Sequence, residues 1–404
     1  MNLTGTPFFI LTIFLFVASI ALAMAQWGRS RGAGGNAGHP VVAGRAGSRR
    51  SRAAAGRRIG PVQALSYLST ILLCQCTAIT LVFVLVNNAN GLYDSWGDLL
   101  GTSNHIRAVP VPPKDNGLAG DKAGASHAPK VVQAFHAPDS DAVPRDVKQA
   151  DLKGRLSGVD GEVLVWTPPQ YDDPAYKDKT FPVVELLGGY PGSSSTWFGD
   201  SGGMAISKQL APLMKSGQVT PFILVSPRVT IYSKADTGCA DIPGKVNAET
   251  WFSRDVPQMV LDNFRTDATP GQWAVAGYSA GAHCANRLAI GHPDRYRAGI
   301  SLSGYNDPTG EPDSLTAKDP KLRETDNPLY MLTHAATPPN VALYETGSKV
   351  TGEGLADAIA LQQAAKSPTV VVPLETTGPH AISTWRPLVV PIFKWLSGII
   401  PAPH

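Results

Sequence analysis

Two stretches near the start of the chain carry no polar rhythm at all. PFFILTIFLFVASIALAMA (7–25) and ALSYLSTILLCQCTAITLVFVLV (64–86) are uncharged and long enough to cross a hydrocarbon core as helices, which takes roughly 20 residues. Downstream the pattern changes. GLYDSWGDLL (91–100) is short and amphipathic, with a Tyr and a Trp suited to a membrane surface. Residues 103 to about 145 mix Pro, Gly, Ala and scattered charge without periodicity, which predicts a linker. From Val147 onward apolar runs alternate with helical spacing. EVLVWTPP (162–169), FPVVELLGG (181–189), FILVSP (222–227), QWAVAGYS, RAGISLSG (297–304), VALYETG (341–347) and TVVVPLE (369–375) read as strands. Between them, 204–217, 249–264, AHCANRLAIGH, 355–366 and a final TWRPLVVPIFKWLSG read as helices. Strands so interleaved predict an α/β domain over 147–404, with a mainly parallel sheet covered on both faces.

Charge gives the apolar pair an orientation. Eight arginines and no acidic residue lie between Arg29 and Arg58, so the loop joining the two spans is expected on the cytoplasmic side. Both termini and the α/β domain then lie outside the cytoplasm, and residues 1–90 form a transmembrane hairpin. A cleaved signal peptide ending at AMA is the competing reading for the first span, although MNLTGTP lacks the usual Lys or Arg. Outside the arginine-rich loop the chain is slightly acidic, and no basic groove for nucleic acid is expected.

The chemistry gathers at WAVAGYSAGAHCANRLA (273–289), where GYSAG sets Ser279 between glycines at a predicted strand-to-helix junction. A sharp turn there lifts a serine hydroxyl above the sheet edge, and small flanking residues let strand and helix backbones approach. A hydroxyl is a poor nucleophile until a base takes its proton. Where such an elbow is used, the chain order is Ser, acid, His. His380, in TTGPHAISTW after the last strand, is the candidate base. His404 is terminal, His283 falls on the elbow helix, and His334 precedes the strand that delivers the acid. Glu353, Glu345 and Asp357 are the candidate acids, with Glu353 preferred because it lies in the loop itself between glycines. Backbone amides of Ala280, after the nucleophile, and Tyr190, in GGYPGSSSTW, are the candidate oxyanion donors.

Taken together, LLGGYPGS, GYSAG and GPHAISTW at these separations resemble the "Putative esterase" family of α/β hydrolases, which includes esterase D and the antigen 85 mycolyltransferases. The resemblance spans about residues 150–398, and the apolar hairpin is similar to that of membrane-anchored actinobacterial members. It implies an α/β-hydrolase fold, with Ser279 as nucleophile and His380 as base. In the antigen 85 pattern the acid glutamate follows a strand-ending glycine by six residues, as Glu353 follows Gly347. In the esterase D pattern an aspartate comes soon after that glycine, and here Val350 stands in its place.

Cys74 and Cys76 lie inside the second span, while Cys239 and Cys284 are the only two cysteines of the outer domain. Oxidising surroundings favour their pairing, which would brace the elbow helix. No His/Cys cluster has zinc spacing and no glycine loop has phosphate-binding spacing, so neither metal nor cofactor is expected. The sequence thus predicts a membrane-anchored serine esterase or acyltransferase on ester substrates, envelope glycans or lipids among them. The alternative is a hydrolase-shaped domain serving as a tethered binding or scaffold module.

Overall fold

The computed structural model describes residues 3, 5–32, 61–90, 92–93, 96–100, 107–108, 130–200, 202–232 and 235–404. The arginine-rich loop from residue 33 to 60 and most of the expected linker therefore lie outside the described residues.

Two helices, α1 (Thr6–Gly32) and α2 (Pro61–Asn90), coincide with the apolar runs, and both are long and apolar enough to cross a membrane. Their large side chains, Phe14, Leu65 and Ile79 among them, face outward, which suits lipid and not water. Between the helices the polar atoms find each other. Ser19 and Thr77 hydroxyls lie 3.0 Å apart, and the Cys74 thiol donates to the Ser19 carbonyl, the kind of small-residue contact that joins spans.

The α/β domain is built on one sheet. Its principal strands are β1 (Lys148–Lys153), β2 (Val159–Trp166), β3 (Val183–Leu187), β4 (Ile223–Pro227), β5 (Trp273–Tyr278), β6 (Ala298–Leu302), β7 (Ala342–Ser348) and β8 (Val370–Thr376). The spatial order is β1-β2-β4-β3-β5-β6-β7-β8, and Arg107–Ala108 adds two residues beside β2. β1 and β2 run antiparallel to their neighbours, and every pairing from β4 to β8 is parallel. Side chains alternate between faces with period two. Val183 and Leu187 of β3 enter one core with Trp273 and Val275 of β5, while Val184, Leu186, Ala274 and Ala276 enter the other. Both faces are thus apolar and covered, which is why these strands read as unbroken hydrophobic runs.

Several expectations shift in detail. The 249–264 helix is continuous but widens in the middle, where the Val256 amide donates five residues back to Trp251; the Pro257 ring crowds the turn before it. The expected terminal helix is divided into Ile382–Trp385, a tight turn at Arg386–Leu388 that contains Pro387, and Val389–Ser397 with Pro391 in its first turn. Strand β1 and the short helices Pro320–Thr325 and Pro328–His334 were not anticipated. Residues 130–146, expected as linker, pack on the domain. Val131 and Gln133 amides donate to Asp262 and Asn263, Phe135 stands edge-on to Phe264 at 5.3 Å, and Val143 is buried.

Candidate active site

Ser279 stands between β5 and α5 (Ala280–Gly291), at the helix's N-cap, with φ 57° and ψ −127°, a backbone region that costs a non-glycine residue strain. What holds it there is the packing of its neighbours. A side chain on Gly277 would strike the Gly281 carbonyl, and one on Gly281 would strike the Gly188 and Leu187 carbonyls. The two glycines of GYSAG are therefore the points where the elbow closes on itself and on the end of β3. The Ser279 amide donates to the Leu302 carbonyl at 2.9 Å, tying the turn to β6.

His380 reaches the elbow from the loop after β8. Its Nε2 lies 2.9 Å from Ser279 Oγ, and its Nδ1 lies 3.2 Å from Glu353 Oε2. The second contact is an ion-pair separation without hydrogen-bond alignment. Burial pushes the imidazole below its ordinary pKa, opposed by the Glu353 charge. Glu353 sits between Gly352 and Gly354, both at positive φ, so its loop doubles back and presents the carboxylate to the histidine. Thr351 Oγ1 donates to Glu353 Oε2 at 3.1 Å, and the loop closes with Ser348 N–H donating to the Glu353 carbonyl at 2.8 Å.

The other candidate acids are engaged elsewhere. Glu345 is buried on β7, accepts from Asn286 Nδ2 at 2.9 Å, and is raised to about 7 by burial. Asp357 accepts from the Asn306 amide at 3.0 Å. The Tyr190 loop passes close to Ser279, since a side chain on Gly189 would come to 3.0 Å from Ser279 Cβ. Ala280 is the first residue of α5, where helix amides point outward from an N-terminus. Burial raises the Tyr190 phenol's pKa, as do the nearby charges of Asp236, Glu311 and Asp313. Among the described residues no group of three His, Cys, Asp or Glu side chains is arranged to hold a metal ion.

Other contacts surround the site, and of these the Cys239–Cys284 pairing alone was read from the sequence. Ser194 donates to Glu162 at 2.5 Å and its carbonyl accepts from Ser226, fixing the Tyr190 loop to β2 and β4. Cys239 and Cys284 form a disulfide with Cα atoms 5.5 Å apart, within the ordinary span, and it joins the 236–240 loop to α5. One turn on, Arg287 is held by Asp326 at 2.8 Å and Glu249 at 2.6 Å, and donates to the Cys239 carbonyl. A conspicuous helical arginine was the only hint of that network in the sequence.

Part of the α/β domain is similar to known proteins. Residues 157–343 match the family described as "Putative esterase"; the segment contains Ser279 and ends before the loops of Glu353 and His380. An uncharacterized protein of Corynebacterium glutamicum is 25% identical over 255 residues, 60% of this chain and 58% of that protein, so the chain spans less than two thirds of that relative. A ferulic acid esterase superposes with TM-score 0.53 at 18% identity, covering 63% of this chain and 98% of its own. The S-formylglutathione hydrolase of Agrobacterium tumefaciens gives 0.50 at 12% identity, over 66% and 99%. Fluorophosphonate-binding serine hydrolase F of Staphylococcus aureus gives 0.51 at 15%, over 62% and 97%. At these identities the structural likeness is one of fold, and the fold is that of the α/β hydrolases.

Proposed function

We propose that this chain, a serine hydrolase with an esterase-family domain, is a membrane-anchored, extracytoplasmic esterase or acyltransferase working through an acyl-enzyme. The observation that carries the reading is the strained Ser279 with its hydroxyl 2.9 Å from His380 Nε2. His380 takes the hydroxyl proton as Ser279 attacks the ester carbonyl, and Glu353 orients the imidazole and offsets its charge. Amides of Ala280 and Tyr190 hold the oxyanion. Collapse of the tetrahedral intermediate expels the alcohol, which leaves with the proton from His380. Water or a second hydroxyl then accepts the acyl group by the reverse sequence, so one constellation serves hydrolysis and transfer alike. The carboxylates near Tyr190 favour neutral over anionic esters. Two apolar spans with an arginine-rich loop between them support display of the domain outside the cytoplasm, where acylated envelope glycans or lipids are the substrates the setting favours.

Labelling of purified protein with a fluorophosphonate probe tests the nucleophile. Wild type is expected to label, and Ser279→Ala and His380→Ala to lose the label; a folded wild type that takes none overturns the reading in favour of a tethered binding module. Protease accessibility of the domain in intact cells tests its side of the membrane.

A further inference from the structure

We infer that Trp385 is a positioning residue for His380, fixing the plane of the imidazole by an edge-to-face contact while it ties the base to the nucleophile elbow and the acid strand. The inference rests on the serine-hydrolase reading of this site and adds a side chain that the resemblance of motifs did not assign.

The indole is buried and ends the short helix Ile382–Trp385 that opens two residues after His380. Its ring centroid lies 4.8 Å from that of His380 with the planes at 85°, the perpendicular arrangement aromatic quadrupoles prefer. It also packs on the Tyr278 ring at 5.1 Å and 30°, and Tyr278 is the residue before the nucleophile. Its Nε1 donates to Ser303 Oγ at 3.0 Å. Ser303 holds φ 58° at the end of β6, and its amide donates to the Thr346 carbonyl at 3.1 Å on β7, the strand that leads to Glu353. One side chain thus touches the base and the elbow directly, and reaches the acid strand through one hydrogen-bonded serine.

The imidazole needs such a wall. Rotation about the Cβ–Cγ bond carries Nε2 and Nδ1 off their partners, and it is opposed only as firmly as those two contacts are aligned. The Nδ1 contact is, besides, one of distance and not of alignment. A perpendicular ring against the imidazole blocks that rotation. It also keeps water from that side of the ring, consistent with burial as the main cause of the lowered His380 pKa. Glu353 is the one charged group whose field is felt at His380 among the described residues; the elbow contributes the neutral Ser279, and the helix after His380 contributes the neutral indole.

The test uses the full-length protein in detergent and a neutral 4-nitrophenyl ester. Trp385→Leu is expected to lower kcat by about 10- to 100-fold, the scale of a misplaced catalytic group, with KM within about threefold. Hydration of the loosened imidazole should move the acid limb of kcat/KM to higher pH. Trp385→Phe, which keeps a ring but no donor, should recover part of kcat and part of the acid-limb position. Ser303→Ala, which removes the indole's acceptor and no reacting group, should show a smaller loss with the same upward shift, and it serves if Trp385→Leu fails to fold. Variants with wild-type kcat and acid limb, or with a change in KM alone, overturn the proposal. A wild type that neither turns over ester nor takes a fluorophosphonate label overturns the functional reading itself, and this inference with it.

Discussion

His380 is tuned by two opposed effects, and the balance sets how the enzyme should respond to acid. Burial disfavours the charged ring and lowers its pKa; the Glu353 carboxylate favours the charged ring and partly restores it. In the proposed mechanism His380 must be neutral to accept the Ser279 proton, so kcat/KM should hold as pH falls below the ordinary imidazole value and decline only under that point. Glu353→Gln removes the charge that stabilises the imidazolium in the transition state. It should lower kcat by roughly 10²–10⁴-fold with little change in KM, measured by steady-state hydrolysis. Glu345→Gln should stay within about threefold of wild type, since Glu345 lies under the elbow helix bonded to Asn286 and not beside the histidine. If the two results were exchanged, Glu353 would not be the orienting acid. Among the three acids the sequence offered, a place in the loop between glycines favoured Glu353 but left the others open, because whether a loop residue turns toward a histidine is decided by the backbone its two positive-φ glycines adopt.

Helix α5 carries the elbow, and two braces that meet at Cys239 hold it. The Cys239–Cys284 bond closes a separation of 45 residues, and Arg287 anchors the same helix in a buried ionic cluster. Loop-closure entropy puts the disulfide at about 2–4 kcal/mol. Reduction should therefore lower the melting temperature by roughly 5–15 °C in a domain of this size, read by calorimetry with and without dithiothreitol. Arg287→Met leaves Asp326 and Glu249 facing each other without their cation and should cost about 3–5 kcal/mol; a shift under about 1 kcal/mol would show that the cluster relaxes onto water. These two braces differ in how far the sequence announced them. Two cysteines in an outer domain suggest a bond by compartment chemistry alone, whereas an arginine pairing with residues 38 and 39 positions away leaves no local periodicity. The strands were legible because burial on both faces makes them continuous apolar runs. The two short helices at 320–334 carried readable starts, Asp319-Pro320 and Asn327-Pro328, whose side chains do cap them; their brevity kept them from registering as periodic.

At the scale of the whole molecule, the boundary between the expected linker and the α/β domain is where the sequence and the fold part company. Composition changes near Val147, and the stretch before it lacks any apolar period. Yet its contacts are of a kind that periodicity does not report: single anchors at irregular spacing, each matched to a partner far along the chain. The Val131 and Gln133 amides are satisfied by Asp262 and Asn263, and Asn263 Nδ2 returns a bond to the Val131 carbonyl. Phe135 packs on Phe264, and the His136 backbone pairs with Gln149 of β1 in both directions at 2.9 Å. Removing this segment would uncover apolar area on β1 and on the end of the 256–263 helix, and would strand buried polar groups, each costing about 1–3 kcal/mol. A chain of residues 130–404 should therefore be soluble, fold cooperatively and take a fluorophosphonate label at the rate of the full-length protein. A chain of residues 147–404 should melt lower by several kcal/mol in stability or aggregate, with its labelling rate falling in step with the folded fraction. Equal melting of the two would return the segment to the tether. A 130–404 chain that folds but does not label would mean that residues before 130 contribute to the active site.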